Sequence, residues 1–358
     1  MTTDEKWMRR ALSLAGKGCR RVHPNPMVGA VLVRKGLLVG EGYHQRFGLA
    51  HAEMEAIQKA GKRAQGSTLY VNLEPCAHWG KTPPCAEAIL RAGIRRVVCA
   101  MRDPNPLVSG KGFQILRKGR VPVTRGVLEE EARRLNRAFI TWVKEKRPFV
   151  TLKAAASLDG KTATMTGESH WITSEKARAA GHELRAEADA IAVGLETVKV
   201  DNPSLTAHGT GLNPVRIIFD SHLRAPLQSR VFNRQAPTWC LATHHTTLRR
   251  VDRLKRKGVQ VLLCHADAEG RVSVSDALKR LAAKGIAHLL LEGGLSLQTS
   301  FLEAGVVDEV HWFIAPMIIG NTKRLKNVWN LEKVHVESVG RDFHLSACLP
   351  ESSRRSVK

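Results

Sequence analysis

The chain has 358 residues, more than the roughly 100–200 residues of an ordinary domain, so we expect two domains. Hydrophobic residues make up 43% and charged residues 25%, a composition that excludes a disordered or fibrous protein. The 56 Lys and Arg against 33 Asp and Glu give a net charge of +23, which indicates an anionic partner: nucleic acid, a membrane surface or a phosphorylated small molecule.

The first half of the chain alternates helices and strands, which is typical of an α/β fold. Apolar side chains at helical spacing predict a first helix over 4–18, and the two prolines within 23–26 exclude a helix there. In chain order the sequence then predicts strands over 28–33 and 37–41, a helix over 51–60, a strand over 67–73, a helix over 85–91 and a strand over 96–101.

A charged segment with a proline, 144–148, interrupts this pattern, so we place the domain boundary there, between 1–146 and 147–349. Residues 350–358 are polar and basic, and we expect a disordered tail. The second half predicts a mainly parallel sheet of the type that binds nucleotide cofactors. Its predicted strands cover 149–155, 190–193, 216–220, 238–242, 259–264, 288–292 and 309–315, with helices such as 174–187 and 275–284.

The cysteine content and the apolar pattern predict the compartment. Residues 1–21 lack the apolar core of a signal peptide, and no stretch reaches about 18 consecutive apolar residues. Seven cysteines, an odd number at irregular spacing, indicate reduced thiols. We therefore expect a cytoplasmic protein without a membrane span.

Four residues of the first half form a chemical pattern. His51, Cys76 and Cys85 offer three zinc ligands and leave the fourth tetrahedral position for water, whose pKa zinc lowers to about 7. Glu53 follows the histidine by two residues and can transfer protons without binding the metal. A histidine-x-glutamate followed by proline-cysteine is the signature of zinc nucleobase deaminases, although their two cysteines are usually separated by two residues and here by eight.

Five stretches around this pattern narrow the interpretation to one family. The stretches are 23–29 (HPNPMVG), 42–48 (GYHQRFG), 73–80 (LEPCAHWG), 82–85 (TPPC) and 103–110 (DPNPLVSG). They resemble the bifunctional riboflavin-biosynthesis deaminase-reductase, whose pattern includes the long cysteine gap. The resemblance implies hydrolytic removal of an amino group from a phosphoribosylated diaminopyrimidinone, with Asn25 hydrogen-bonded to this substrate; as a residue of a turn, Asn25 also fits a capping role. His78 and Lys81 fit contacts with polar groups of the substrate and equally fit an ordinary loop.

The second half lacks the G-x-G-x-x-G motif of a standard dinucleotide-binding domain. The segment Glu292-Gly-Gly294 ends a predicted strand before a helix, where glycines allow a phosphate to approach the backbone; by itself it also fits a simple turn. Together with 152–161, 167–173 and 197–206 it resembles the reductase half of the same family. The resemblance implies a dihydrofolate-reductase-like α/β domain that uses NADPH, after a cytidine-deaminase-like three-layer domain.

The resemblance also implies roles for individual residues of the second half. The reductase would transfer a hydride to the ribose C1 and open the sugar into a ribityl chain. Lys153 and Asp159 would lie at the sugar end. The NADPH contacts would come from Ala155, Trp171, Thr197, Asp201, Ser221, Gly294, Leu295, Ser296, Leu297, Gln298, Thr299 and Ser300. The substrate contacts would come from Ser169, Arg185, Leu205, His208 and Glu292, with Arg185 paired to the phosphate.

Two positions depart from the family pattern. The family usually has Leu-Thr-x-Arg where this chain has Leu205-Thr-Ala-His208, and an imidazole cannot replace a bidentate guanidinium fork without loss. His208 could donate one hydrogen bond, or pair with the phosphate when protonated, or leave the phosphate to Arg185. Glu196 occupies a loop position where the family usually has a small residue.

Two rival interpretations remain. Residues 1–146 contain 27 basic and 12 acidic side chains, a net +15, which suggests a zinc deaminase that acts on nucleic acid, with a degenerate, non-catalytic second domain. Alternatively, the zinc could be purely structural. The resemblance instead implies a phosphorylated pyrimidine substrate, no nucleic acid or membrane partner, and a homo-oligomer, either a dimer or a tetramer.

Overall fold

The structure is a computed structural model that describes residues 1–77, 84–106, 108–161, 173–317 and 332–350. The expectations for His78, Lys81, Ser169, Trp171 and the tail after Pro350 lie outside the described residues. The chain divides into two units, Met1–Lys146 and Arg147–Lys358. Among the described helices, none combines the length and the apolar composition that crossing a membrane requires.

The first unit contains a five-stranded sheet. Its strands are β1 (Gly29–Arg34), β2 (Leu37–Tyr43), β3 (Thr68–Leu73), β4 (Arg96–Met101) and β5 (Val123–Arg125). They lie in the order β2-β1-β3-β4-β5, where the first two form an antiparallel hairpin and the last three are parallel. The helices of this unit are α1 (Thr3–Gly16), α2 (Ala52–Ala60), α3 (Cys85–Arg91), α4 (Lys111–Lys118), α5 (Glu129–Leu135) and α6 (Arg137–Glu145).

Helices cover both faces of this sheet and make the predicted three layers. Apolar side chains of α2, α3 and α4 form one core with the sheet, and those of α1, α5 and α6 form a second core on the opposite face. Helix α2 approaches β2 closely, because a Cβ added to Gly42 would lie 2.4 Å from Glu55 Cβ and 2.7 Å from the Ala52 carbonyl oxygen. Glycine in this strand thus fixes the position of the first turn of α2.

The second unit contains a nine-stranded sheet. The strands are β6 (Phe149–Ser157), β7 (Ala190–Gly194), β8 (Val215–Phe219), β9 (Thr238–Thr243), β10 (Gln260–Cys264), β11 (His288–Leu291), β12 (Glu309–Ala315), β13 (Glu332–Val339) and β14 (Asp342–Cys348). Their order is β10-β9-β8-β7-β11-β6-β12-β14-β13. The pairs from β10 to β12 are parallel, as predicted, and β14 and β13 are antiparallel additions. The helices are α7 (Glu175–Glu187), α8 (Leu195–Asp201), α9 (Leu248–Arg256), α10 (Val274–Ala283) and α11 (Leu295–Glu303).

Helices again pack on both faces, with α10 and α11 on one core and α8 and α9 on the other. The α/β fold class predicted for both halves is confirmed. A fully buried ion pair anchors the start of the second unit: Arg147 donates to Asp308 at 2.7 and 2.9 Å, and the same carboxylate accepts the Val150 N–H. Because both charges are paired and hydrogen-bonded, their burial is tolerated.

Candidate active sites

Three predicted ligands of the first unit converge. His51 Nδ1 lies 3.3 Å from Cys85 Sγ and 3.6 Å from Cys76 Sγ, and the three ligand atoms all lie within 4.8 Å of one another. Tetrahedral zinc with bonds of about 2.0–2.3 Å requires ligand atoms roughly 3.5 Å apart. The donor set and its spacing therefore fit a zinc ion with one further coordination position.

Different elements hold these ligands. His51 is the residue immediately before α2, Cys85 begins α3, and Cys76 lies three residues beyond β3. The Cys85 N–H donates to Cys76 Sγ at 3.3 Å, and hydrogen bonds from Cys85 and then His51 lower the pKa of Cys76 to about 4. The hydrogen bond with Cys76 in turn raises the pKa of His51 to about 9. These contacts favour a thiolate at Cys76, the form that binds metals, whereas the hydrogen bond with Cys76 and burial raise the pKa of Cys85. Metal binding would displace the protons that remain on Cys85 and His51.

Glu53 lies in the first turn of α2 and is only 3% exposed. Burial raises the pKa of its carboxyl group, while the nearby His51 opposes the shift. A carboxyl group whose pKa is raised toward neutrality can both accept and release a proton. The arrangement can therefore perform general acid-base chemistry beside a metal ion.

His44, to which the sequence analysis assigns no role, connects Asn25 to this cluster. Its Nδ1 lies 3.0 Å from the Ala50 carbonyl oxygen, its Nε2 lies 3.4 Å from Asn25 Nδ2, and its ring contacts the His51 ring edge to face at 5.6 Å. Burial lowers the pKa of His44, so the ring is neutral. A neutral ring that donates from Nδ1 to a carbonyl must accept at Nε2, which fixes the Asn25 amide with its NH2 toward His44. His44 is the histidine of the stretch 42–48, and this position was the signal in the sequence by which it could have been found.

The second unit contains a cavity of about 470 Å³, and many of the predicted residues line it. Lys153, assigned to the sugar end, is among the lining residues, and burial lowers the pKa of its amine. Of the NADPH set, the lining residues are Ala155, Thr197, Asp201, Gly294, Leu295 and Gln298. Of the substrate set, they are Arg185, Leu205 and Glu292.

The remaining members of the NADPH set have other contacts. The Ser221 hydroxyl accepts the Val272 N–H at 3.0 Å, and the Ser300 hydroxyl donates to the Ser296 carbonyl at 3.1 Å. Leu297 and Thr299 lie in α11, whose first residue follows Gly294. Thr197 Oγ1 accepts the Gly294 N–H at 3.2 Å, so the two predicted NADPH segments are joined directly.

Arg185 and Glu292 face each other in the cavity wall. Arg185 Nε and Nη2 each donate to a different Glu292 oxygen at 2.8 Å, and its Nη1 donates to the Thr206 carbonyl at 3.1 Å. Burial alone would raise the pKa of Glu292, but the charge and hydrogen bonds of Arg185 lower it to about 2. Glu292 therefore stays ionised at every physiological pH.

His208 stacks on His182, a lining residue that the sequence analysis did not assign, with ring centroids 4.2 Å apart. Burial first, and then the charge of Arg185, lower the pKa of His182 to about 4; the same two causes lower the pKa of His208. Both rings are therefore neutral at pH 7. Glu196, the second departure from the family pattern, lies in helix α8 and not in the predicted loop. It lines the cavity and pairs with Lys199 at 2.9 Å.

The loop that carries His208 has an unusual backbone. Asn202, Leu205 and His208 all have positive φ values, of 41°, 53° and 48°. Such values are uncommon for residues other than glycine and cluster at functional sites, where the surrounding structure holds them. Leu205 is 2% exposed, so its packing secures the loop beside the cavity.

Two family models match the chain. The cytidine and deoxycytidylate deaminase zinc-binding region matches residues 1–101, and the RibD C-terminal domain matches residues 148–345. The first match includes all three candidate zinc ligands. The second includes the whole cavity wall. Family models match both domains. These matches do not favour the rival interpretation, in which the second domain is degenerate and non-catalytic.

Similar proteins cover nearly the whole chain. The riboflavin biosynthesis protein RibD of Aquifex aeolicus is 46% identical over 95% of this chain and 97% of its own length. The solved structure of Acinetobacter baumannii RibD has a TM-score of 0.86 at 35% identity, covering 97% of this chain and 99% of that one. A diaminohydroxyphosphoribosylaminopyrimidine deaminase/5-amino-6-(5-phosphoribosylamino)uracil reductase from Thermotoga maritima gives 0.85 at 38% identity with the same coverage. The chain therefore belongs to the bifunctional deaminase-reductase family of riboflavin biosynthesis, whose cofactors are zinc and NADPH.

Proposed function

We propose that the enzyme deaminates 2,5-diamino-6-(5-phosphoribosylamino)pyrimidin-4-one and then reduces its ribosyl chain to give 5-amino-6-(5-phosphoribitylamino)uracil. The observation that carries the proposal is the convergence of His51, Cys76 and Cys85 within 4.8 Å beside the buried Glu53. The name of the Thermotoga maritima relative supports the choice of substrate.

In the deaminase domain, His51, Cys76 and Cys85 are the zinc ligands. Zinc, when bound, makes a water molecule acidic enough to lose a proton near pH 7. Glu53 takes that proton on a carboxylate oxygen and passes it to the departing amino nitrogen. The C–N bond of the ring breaks, the oxygen of water stays on the ring carbon, and ammonia leaves.

Asn25 and His44 orient the pyrimidine in this domain. His44 accepts a hydrogen bond from the Asn25 NH2 group, so the Asn25 side-chain oxygen faces away from His44 and can accept from an N–H of the substrate. Fixing the amide in advance reduces the entropy lost when the substrate binds.

In the reductase domain, Ala155, Trp171, Thr197, Asp201, Ser221 and the segment from Gly294 to Ser300 bind NADPH. NADPH, when bound, supplies the hydride that reduces the ribose C1. Gly294 immediately precedes α11, where the absence of a side chain and the positive end of the helix accommodate a phosphate. The hydrogen bond between Thr197 and Gly294 holds this segment in place.

Ser169, Arg185, Leu205, His208 and Glu292 bind the substrate of the reductase. Three of the five N–H donors of Arg185 contact Glu292 and Thr206 within the described part of the chain, so a phosphate would use the other two. Lys153 lies in the same cavity and adds positive charge near the sugar. His208 donates one hydrogen bond where the family usually has a guanidinium fork.

A coupled assay of the purified protein on the diaminopyrimidinone phosphate, with and without NADPH, tests both reactions. We expect ammonia without NADPH, and oxidation of one NADPH per deaminated molecule when NADPH is present. Ammonia release without NADPH oxidation, even when the deaminated intermediate is supplied, would show that the second domain does not catalyse the reduction.

We also propose that the enzyme works in the cytoplasm as a homo-oligomer, either a dimer or a tetramer. The odd number of cysteines at irregular spacing supports a reducing compartment. The oligomer is proposed from the family resemblance alone. Sedimentation velocity of the zinc-loaded protein tests it, and a single species with the mass of one chain would contradict it.

A further inference from the structure

The segment that carries Cys76 has no regular secondary structure. Residues 74–77 follow β3 without forming a strand or a helix. From the side of α3, the Cys85 N–H contacts Cys76 Sγ and the Ala86 N–H donates to the Cys76 carbonyl at 3.2 Å. The position of the thiolate therefore also depends on what holds the chain just before it.

Glu74 supplies that second attachment, two residues before the ligand. Its side chain is 3% exposed, and its two carboxylate oxygens accept four backbone N–H groups. Oε1 accepts from Gly112 at 3.0 Å and from Phe113 at 3.4 Å, in the first turn of α4. Oε2 accepts from Asp103 at 3.2 Å and from Gly110 at 3.0 Å, the two ends of the motif 103–110.

Close packing reinforces these hydrogen bonds. A Cβ added to Gly112 would lie 2.0 Å from the Pro75 carbonyl oxygen, a distance that no side chain permits. The first turn of α4 therefore lies directly against the residue that precedes Cys76. A buried carboxylate with four N–H partners is a strong, charge-assisted arrangement, and α4 places its positive end toward that charge.

We propose that Glu74 is a positioning residue of the zinc site: its carboxylate fastens the Cys76 segment to α4 and to both ends of the motif 103–110, so that the Cys76 thiolate is held at its ligand position before the metal arrives. The proposal rests on the assignment of Cys76 as a zinc ligand. It gives the motif 103–110, which the proposed chemistry leaves unused, a structural task in the metal site.

The test compares zinc release from the full chain into a chromophoric chelator. In E74Q one oxygen becomes an NH2 group that opposes two N–H donors. We therefore expect zinc release about 10–100-fold faster than in the parent, the range in which metal affinity falls when a group that orients a ligand is removed. G112A disturbs the same attachment from the α4 side and should accelerate release as well, which keeps the test available should E74Q not fold.

Two matched controls separate this role from a general loosening of the domain. Ser67 is fully buried just before β3, at the end opposite Glu74, and its hydroxyl donates to the Ala64 carbonyl. Gly16 has no atom within 4 Å of an added Cβ. S67A and G16A should release zinc at the parental rate. If S67A released zinc as fast as E74Q, the proposal would be overturned.

The spectrum of the cobalt-substituted protein gives a readout that does not depend on activity. We expect the thiolate charge-transfer band of E74Q to shift or weaken relative to the parent, because the Cys76 sulfur is less well placed. A parental spectrum together with parental zinc release in E74Q would overturn the role of Glu74. C76S tests the assignment of Cys76 as a ligand separately from the role of Glu74. If C76S binds zinc as tightly as the parent, the ligand assignment itself is wrong.

Discussion

Arg185 and Glu292 form a bidentate ion pair across 107 residues of sequence, with both oxygen contacts at 2.8 Å, in the wall of the reductase cavity. Their side chains are 15% and 9% exposed, so the pair is largely removed from water. Neither residue can be changed alone without leaving an uncompensated charge in the cavity.

Replacing Glu292 by Gln should therefore destabilise the second unit by about 3 kcal/mol, because the guanidinium of Arg185 loses its counter-charge. Urea unfolding measures this. E196Q is the control, since it breaks the exposed Glu196–Lys199 pair and should cost under about 1 kcal/mol. Equal losses in the two variants would contradict the special role of the buried pair.

The same pair predicts a dependence of stability on pH. The pKa of Glu292 falls from 4.5 to about 2 in the folded chain, so its contribution is fully present above pH 4.5 and is lost as the pH falls toward 2. The difference in unfolding free energy between the parent and E292Q should thus shrink between pH 4.5 and pH 2. A difference that stays constant over this range would show that folding does not lower the pKa of the Glu292 carboxyl group.

E53Q should lower deamination by about 10²–10⁴-fold with zinc content unchanged, because the variant keeps the shape of the side chain and loses proton transfer. Metal analysis and ammonia release measure the two quantities. E55Q, on the same helix, changes a carboxylate that pairs with Lys59 at 3.7 Å and should leave deamination at the parental rate. Parental activity in E53Q would favour a purely structural zinc.

The proposed small-molecule substrate predicts that deamination depends only weakly on salt. An enzyme that binds nucleic acid through many phosphate contacts loses about 10³–10⁵ in affinity between 50 and 200 mM salt. We expect kcat/KM to change by less than about ten-fold over this range, and added RNA not to compete. A steep loss together with inhibition by RNA would favour the rival suggested by the +15 of residues 1–146.

H208R should lower the KM of the reductase for its phosphorylated substrate by about ten-fold, which corresponds to roughly 1.4 kcal/mol from a restored guanidinium fork. The present His208 ring is neutral at pH 7 and stacks on His182, so it donates at most one hydrogen bond. H245R adds the same charge at an exposed position after β9 and serves as the control. An unchanged KM in H208R would show that residues other than the one at position 208 bind the phosphate.

The sequence predicts most elements of the parallel sheets well because each is a short apolar run between turn residues. Helix α3, strand β4 and strand β12 have the predicted bounds. The hairpin of β13 and β14 was missed. Seven of the eight residues of β13 are exposed, so the alternation of Val334 and Val336 with polar residues does not mark a buried face. The hairpin joins the sheet through the long-range pairing of β14 with β12.

The candidate sites show the same division between local and long-range information. The histidine-x-glutamate and proline-cysteine motifs are local, and they were sufficient to find the residues that converge near Glu53. Three other sets of contacts form only when the chain folds. They are the contact of His44 with Asn25, the stacking of His182 on His208, and the hydrogen bonds of Glu74 with its four donors. Asn and His adopt positive φ more often than other non-glycine residues, so Asn202 and His208 carry a weak local signal, whereas nothing in the sequence indicates the positive φ of Leu205.

Each candidate site belongs to one of the two units, and each unit has its own sheet and its own cores. A single substitution can therefore silence one half-reaction and leave the other chemistry intact. Chains carrying E53Q and chains carrying a disabled reductase should complement each other when mixed, because the deaminated intermediate released by one can be consumed by the other. Such genetic separability makes each activity accessible to selection on its own.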